Sequence, residues 1–143
     1  MRLSFFSLLL CGLFLGCQEE EPEDLDVEIR EVLSEGGGFL VSFAPNPDPI
    51  PPIEMFSVEF LIQDAETGES GENLEEVTLE VSMPEHEHGM NVEPILTDLG
   101  GGLWEASPLK FHMTGNWSLV LGFSDAGNGD QAVFEVHCCE TPE

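Results

Sequence analysis

Val77-Thr78-Leu79-Glu80-Val81-Ser82-Met83 alternates apolar and polar residues without a break, and that period of two decides the fold. Successive side chains of a β-strand point to opposite faces, so Val77, Leu79, Val81 and Met83 would line a buried face while Thr78, Glu80 and Ser82 meet water. The same period recurs on both sides. Phe39, Val41 and Phe43 alternate with Leu40 and Ser42, and Phe56, Val58, Phe60 and Ile62 with Ser57, Glu59, Leu61 and Gln63. Leu109, Phe111 and Met113 alternate with Lys110 and His112; Trp117, Leu119, Leu121 and Phe123 follow, then Ala132, Phe134, Val136 and Cys138. Turn signals separate these runs: the prolines at 45, 47, 49, 51 and 52, Glu66-Thr67-Gly68, Leu99-Gly100-Gly101-Gly102, Thr114-Gly115-Asn116 and the stretch from Asp125 to Asp130. No segment after residue 36 has a helical period. The expectation is an all-β domain over 37–139, an immunoglobulin-like antiparallel β-sandwich of about seven strands.

Upstream the chain changes character. Met1-Arg2 is a short cationic start, and Leu3 to Leu15 is an almost unbroken apolar run, too short for a bilayer span of about 20 residues and flanked like a secretory signal. It ends in Leu13-Phe14-Leu15-Gly16-Cys17. That ending resembles a bacterial lipoprotein signal, which implies removal of residues 1–16 and lipidation of Cys17; Phe14 and Leu15 depart from its commonest residues. The resemblance, with Gln18 after the cysteine, implies an exported protein anchored by lipid in the envelope, at the outer membrane or facing the periplasm. Residues 18–35 carry nine acidic residues and one arginine, a self-repelling tether across 17–36. Leu25, Ile29, Val32 and Leu33 give it a weak helical pattern, and Gly36-Gly37-Gly38 closes it.

Over the whole chain 29 acidic residues stand against three Lys and Arg, a formal charge of −26. Nucleic-acid binding and docking on anionic lipid through a basic face are both argued against, because there is no basic surface to meet phosphates. The membrane would be met through the lipid alone.

The chemistry gathers just after the strand that opened this reading, in Met83-Pro84-Glu85-His86-Glu87-His88-Gly89-Met90. Imidazole and thioether together suit copper, and soft sulfur favours Cu(I) over Cu(II). Pro84 ends the ladder and Gly89 permits a tight loop. In an extended segment His86 and His88 would project to one side. His112-Met113 sits before a turn at a later strand end, and loops of a sandwich cluster at its ends, so the two segments could meet. Met83 and Met113 continue the apolar faces of their strands and read as core residues before they read as ligands; His112, by alternation, points away from Met113.

The run 77–90, then Gly102-Leu103-Trp104-Glu105-Ala106, then Leu109-Lys110-Phe111-His112-Met113-Thr114-Gly115-Asn116-Trp117-Ser118-Leu119, together resemble the YtkA-like (FixH-related) domain of exported bacterial proteins. About 60 residues carry the likeness, through a Met-Pro strand end with His and Met, a Gly-aromatic strand and a Met-x-Gly-x-Trp turn. The resemblance implies an immunoglobulin-like sandwich that handles copper for oxidase assembly or metal homeostasis. It implies metal ligands at His86, His88 and Met90, with Met83, His112 and Met113 behind them, and a copper-accepting or other envelope protein as partner. The Gly115-x-Trp117 pair is assigned to folding.

His137-Cys138-Cys139 is a second unusual cluster. Thiolate and imidazole would suit Cu(I), but alternation makes Cys138 a small core residue with His137 and Cys139 on the opposite face. Asp125, Asn128 and Asp130 lack the acidic residue that would complete a calcium loop and read as a hairpin. No nucleophile–base arrangement, phosphate loop or carboxylate pair stands out, so the expectation is a non-enzymatic copper module. The alternative is a metal-free structural or protein-interaction sandwich of the cell envelope.

Overall fold

In the computed structural model, which describes residues 30–139, nine strands form two antiparallel sheets. The signal segment, Cys17 and most of the acidic tether lie outside the described residues. The strands are β1 (Arg30–Leu33), β2 (Phe39–Asn46), β3 (Phe56–Asp64), β4 (Glu75–Met83), β5 (His88–Gly89), β6 (Ile95–Gly100), β7 (Leu103–Leu109), β8 (Gly115–Asp125) and β9 (Asn128–Cys138). One sheet has the order β1-β2-β3-β7-β6, the other β5-β4-β8-β9. The chain is therefore an all-β sandwich, with two strands more than the period of two suggested.

The inward positions are those the alternation marked. Val41, Phe43, Val58, Phe60 and Ile62 from one sheet meet Val81, Met83, Trp117, Leu119, Leu121, Phe134 and Val136 from the other. Phe134 bridges the layers, its ring 5.4 Å from Phe43 and 5.9 Å from Phe60. Each fully buried aliphatic or aromatic side chain of this kind contributes roughly 1.5–3 kcal/mol relative to exposure. The acidic residues of β4, Glu75, Glu76 and Glu80, remain exposed. Asp125 and Asn128 close the β8–β9 hairpin around Ala126 and Gly127, both at positive φ (47° and 81°), as a two-residue primed turn requires.

Three expectations are corrected. Residues 30–33, read as the end of a tether with a weak helical pattern, form an edge strand whose register pairs Val32 with Val41. Pairing with β2 and packing of Val32 on the core outweigh a marginal local propensity. Pro45, read as part of a turn, lies within β2 opposite Val58. It is tolerated because, among the described residues, β1 reaches only to Phe43, leaving that part of β2 with a neighbour on one side. Finally, the alternation from Leu109 to Met113 does not make a strand. Leu109 ends β7 in one sheet and Gly115 begins β8 in the other, so residues 110–114 must cross between layers about 10 Å apart. Phe111 turns into the core at that corner, and Met113, expected to be buried, is 38 % exposed.

Candidate metal centre at one end of the sandwich

The corner after β7 and the loop after β4 come from opposite sheets, and they meet over Trp117. Pro84–His86 forms one turn of 3₁₀ helix, closed by Glu87 in the left-handed region (φ 54°), whose N–H donates to the Pro84 carbonyl. The turn reverses the chain so that β5 pairs back on β4, with His88 opposite Met83 and Gly89 opposite Ser82. His86 and His88 are thus not neighbours on an extended strand, as the spacing alone suggested; they flank a turn. Their rings still stack, with centres 5.8 Å apart.

His88 shares the inward side of β4 with its partner Met83 and lies on Trp117, ring centres 5.9 Å apart at a 63° angle. From the crossing after β7, His112 reaches the same place: its ring is 5.0 Å from His88 and 5.5 Å from Trp117. The indole's far side is supported by Phe111, stacked at 4.7 Å with planes 8° apart, and Phe111 in turn packs on Phe56 at 4.9 Å. Trp117 is fully buried, and its Nε1–H donates to the Met113 carbonyl at 3.0 Å. This bond fixes the corner from which His112 projects. Met90 is fastened to the same corner, its Sδ accepting the Lys110 N–H at 3.4 Å.

The nitrogens are in contrasting states. His88 Nδ1 lies 3.0 Å from the Gly89 carbonyl. A carbonyl can only accept, so Nδ1 carries the proton and Nε2 keeps its lone pair. His112 Nδ1 is sealed from solvent and has no hydrogen-bond partner. Leaving such a group unsatisfied costs about 1–3 kcal/mol. His86 is exposed, on the outer lip.

Among the described residues, no three His, Cys, Asp or Glu side chains already surround one point. The imidazoles are near each other without having closed. With metal–nitrogen bonds of about 2.0–2.1 Å, two rings on one ion would have centres roughly 5–6.5 Å apart, and both ring pairs fall in that span. Of the remaining sequence candidates, Met83 is a core residue at 1 % exposure, and Met113 offers its carbonyl to the corner. Sequence reasoning assigned Trp117 to folding alone; it is also the floor on which the histidines lie. The Gly-x-Trp spacing after His112 carried that signal.

Elsewhere, Cys138 is buried as expected, but Cys139 is not on the opposite face: the two are joined as a disulfide, and Cys139 packs against the core. His137 does face outward, its Nδ1–H donating to Asn116 Oδ1 at 2.8 Å. Compared with known proteins, the chain matches no family model, no curated protein and no solved structure. The likeness to the YtkA-like domain therefore stands on the quoted residues alone.

Proposed function

We propose that this chain is an exported, lipid-anchored, non-enzymatic copper-binding module, which takes up Cu(I) through His88 and His112 with His86 and Met90 and gives it up by ligand exchange to an acceptor protein of the envelope. One observation carries the reading: His112, from the crossing after β7, places a buried nitrogen that bonds to nothing within 5.0 Å, ring to ring, of His88 on β5. Protein interiors seldom leave such an atom unpaired, and an unpaired imidazole nitrogen beside another imidazole is what a metal ion would satisfy. The Gly89 carbonyl orients His88 as outer partners orient metal-bound histidines elsewhere. Met90 adds a thioether that needs no deprotonation, which favours Cu(I). His86 on the exposed lip is the donor an incoming or departing ion would meet first. The lipid at Cys17 and the envelope location rest on the resemblance of residues 1–18 to a lipoprotein signal.

A metal-free interaction module is the second reading. It draws on the apolar groove lined by Ala44, Leu61 and Leu103 with Ser42 and Glu59 on the outer side of the five-stranded sheet.

The test is a Cu(I) competition titration of the oxidised protein against a chromogenic chelator, beside the His86→Ala/His88→Ala variant. One tightly held ion in the parent and a marked loss of affinity in a still-folded variant are expected. Equal stoichiometry and affinity in both proteins would refute the site.

A further inference from the structure

The end of β9 holds sulfur chemistry that the histidine cluster does not use. Cys138 lies opposite Gly115 in the β8–β9 register, at the same end of the sandwich as the histidines. Gly115 has φ 134°, a conformation suited to glycine, and a Cβ there would collide with the terminal methyl of Met83. The missing side chain leaves room for the end of the Met83 side chain beside Gly115, the residue that pairs with Cys138. Cys138 is 2 % exposed, while Cys139 is half-buried and closes the edge of the same core. Three sulfur-bearing side chains, those of Met83, Cys138 and Cys139, thus lie at this end of the sandwich. Two of them belong to adjacent residues joined to each other, so reduction would release two thiols already within reach of a single ion.

We propose that Cys138 and Cys139, once reduced, form a second site for Cu(I), with the Met83 thioether beside it, and that oxidation of the pair closes this site. Only the choice of cation rests on the function proposed above. The opening step needs a thiol reductant of the kind that maintains cysteines in an oxidising compartment. One reductant thiolate attacks a sulfur of the pair, breaking the Cys138–Cys139 bond and forming a mixed disulfide. A second reductant thiol attacks that mixed disulfide and leaves as the oxidised reductant. Two electrons and two protons have then passed to the pair. Binding Cu(I) replaces both thiol protons, so two S–Cu bonds form and two protons are released. The disulfide carries no thiolate and offers the ion no comparable ligand. His137 is no part of this site, since it faces outward against Asn116.

The experiment uses the full chain with Cys11→Ser and Cys17→Ser, so that only the vicinal pair can supply thiols. Oxidised and reduced forms are titrated anaerobically with Cu(I) against a chromogenic chelator, with proton release followed in parallel. The reduced form should bind one equivalent more than the oxidised form, with two protons released for that extra ion and an ultraviolet thiolate-to-copper absorption present in the reduced form only. Cys138→Ser/Cys139→Ser should remove the extra equivalent, while His86→Ala/His88→Ala should leave the difference between the two forms unchanged. If the histidine reading fails and this one holds, the oxidised form binds none and the reduced form one. Equal binding by both forms, an extra ion that releases no protons, or an extra equivalent that survives in the double serine variant would overturn the proposal. The absorption and proton readouts on the parent chain decide the matter even if the serine variant does not fold.

Discussion

Replacing His112 by Phe should stabilise the metal-free protein, which is unusual for a change at a half-buried ring. The phenyl group keeps the aromatic contacts with His88 and Trp117, at 5.0 and 5.5 Å, and removes a ring nitrogen that is buried without a partner. Satisfying or deleting such an atom is worth about 1–3 kcal/mol. The ring is slightly larger, but the site is at an end of the sandwich and half open, so about 1 kcal/mol of crowding is a generous deduction. A net gain of up to about 2 kcal/mol follows, and for a domain of this size it should raise Tm by up to about 12 °C. Cu(I) tells the other half of the story. An ion at 100 times its Kd adds about 2.7 kcal/mol to a protein that binds it only when folded, and His112→Phe should lose most of that increment. Thermal and urea denaturation, with and without Cu(I), read both quantities. A variant less stable than the parent by 1 kcal/mol or more would mean that His112 is a structural residue, and full retention of the copper-dependent shift would remove it from the site.

Other perturbations separate packing from chemistry. Gly115→Ala should lose about 1–3 kcal/mol, chiefly from a φ of 134° that alanine tolerates poorly, because the Met83 methyl it meets is the far end of a flexible side chain and can move aside; urea denaturation should return the same loss in a Met83→Ala background, and its disappearance there would mean that the contact rather than the backbone is responsible. Phe111→Ala should destabilise by about 3–5 kcal/mol by emptying the space between Phe56 and Trp117, and should weaken copper binding through loss of the floor beneath His88 and His112, both measurable on one preparation. Burial pushes the Asp130 carboxyl up, but hydrogen bonds from the Ser34 side chain and from the N–H groups of Gly36 and Gln131 outweigh it and hold its pKa below the usual aspartate value. A depressed folded-state pKa stabilises the fold above the unfolded value and is lost as pH falls through the folded one. Asp130→Asn should therefore cost about 0.5–1 kcal/mol near neutral pH after solvent screening, with the gap to the parent closing in acid below about pH 4; a pH-independent gap in denaturation midpoints would refute this.

The sandwich was legible because β3, β4 and β9 each bury one face and leave the other more open, while β8 alternates large apolar residues with small ones, and a period of two records that directly. The failures have a common cause. At residues 110–114 the alternation of Phe111 and Met113 continues on paper, but the chain is leaving one sheet for the other, and crossing geometry replaces the pleat. β1 was hidden because four residues paired at an edge carry too little pattern to stand out in an acidic run. The histidine cluster was half legible. Composition pointed to His86, His88 and Met90, and the clustering of sandwich loops suggested that His112 could join them. What no spacing could convey was the left-handed residue at Glu87 that turns His88 inward, or the indole on which His88 and His112 settle. The vicinal cysteines show the same limit, since strict alternation puts adjacent side chains on opposite faces and their bond does not obey it.

The direction of β1 has a consequence for where the cluster looks. Arg30 pairs with Phe43 and Leu33 with Leu40, so the polypeptide enters the fold from the end of the sandwich at which β2, β4 and β7 finish and the histidines lie. A lipid on Cys17 would leave thirteen residues before Arg30, a leash of about 45 Å at full stretch. Tethered at that pole, the module would hang with its histidines turned toward the bilayer and its opposite pole toward the open compartment. If the chain is lipidated at Cys17 and exchanges copper as proposed, a protein seated in, or close above, the same membrane would be the partner nearest to the cluster.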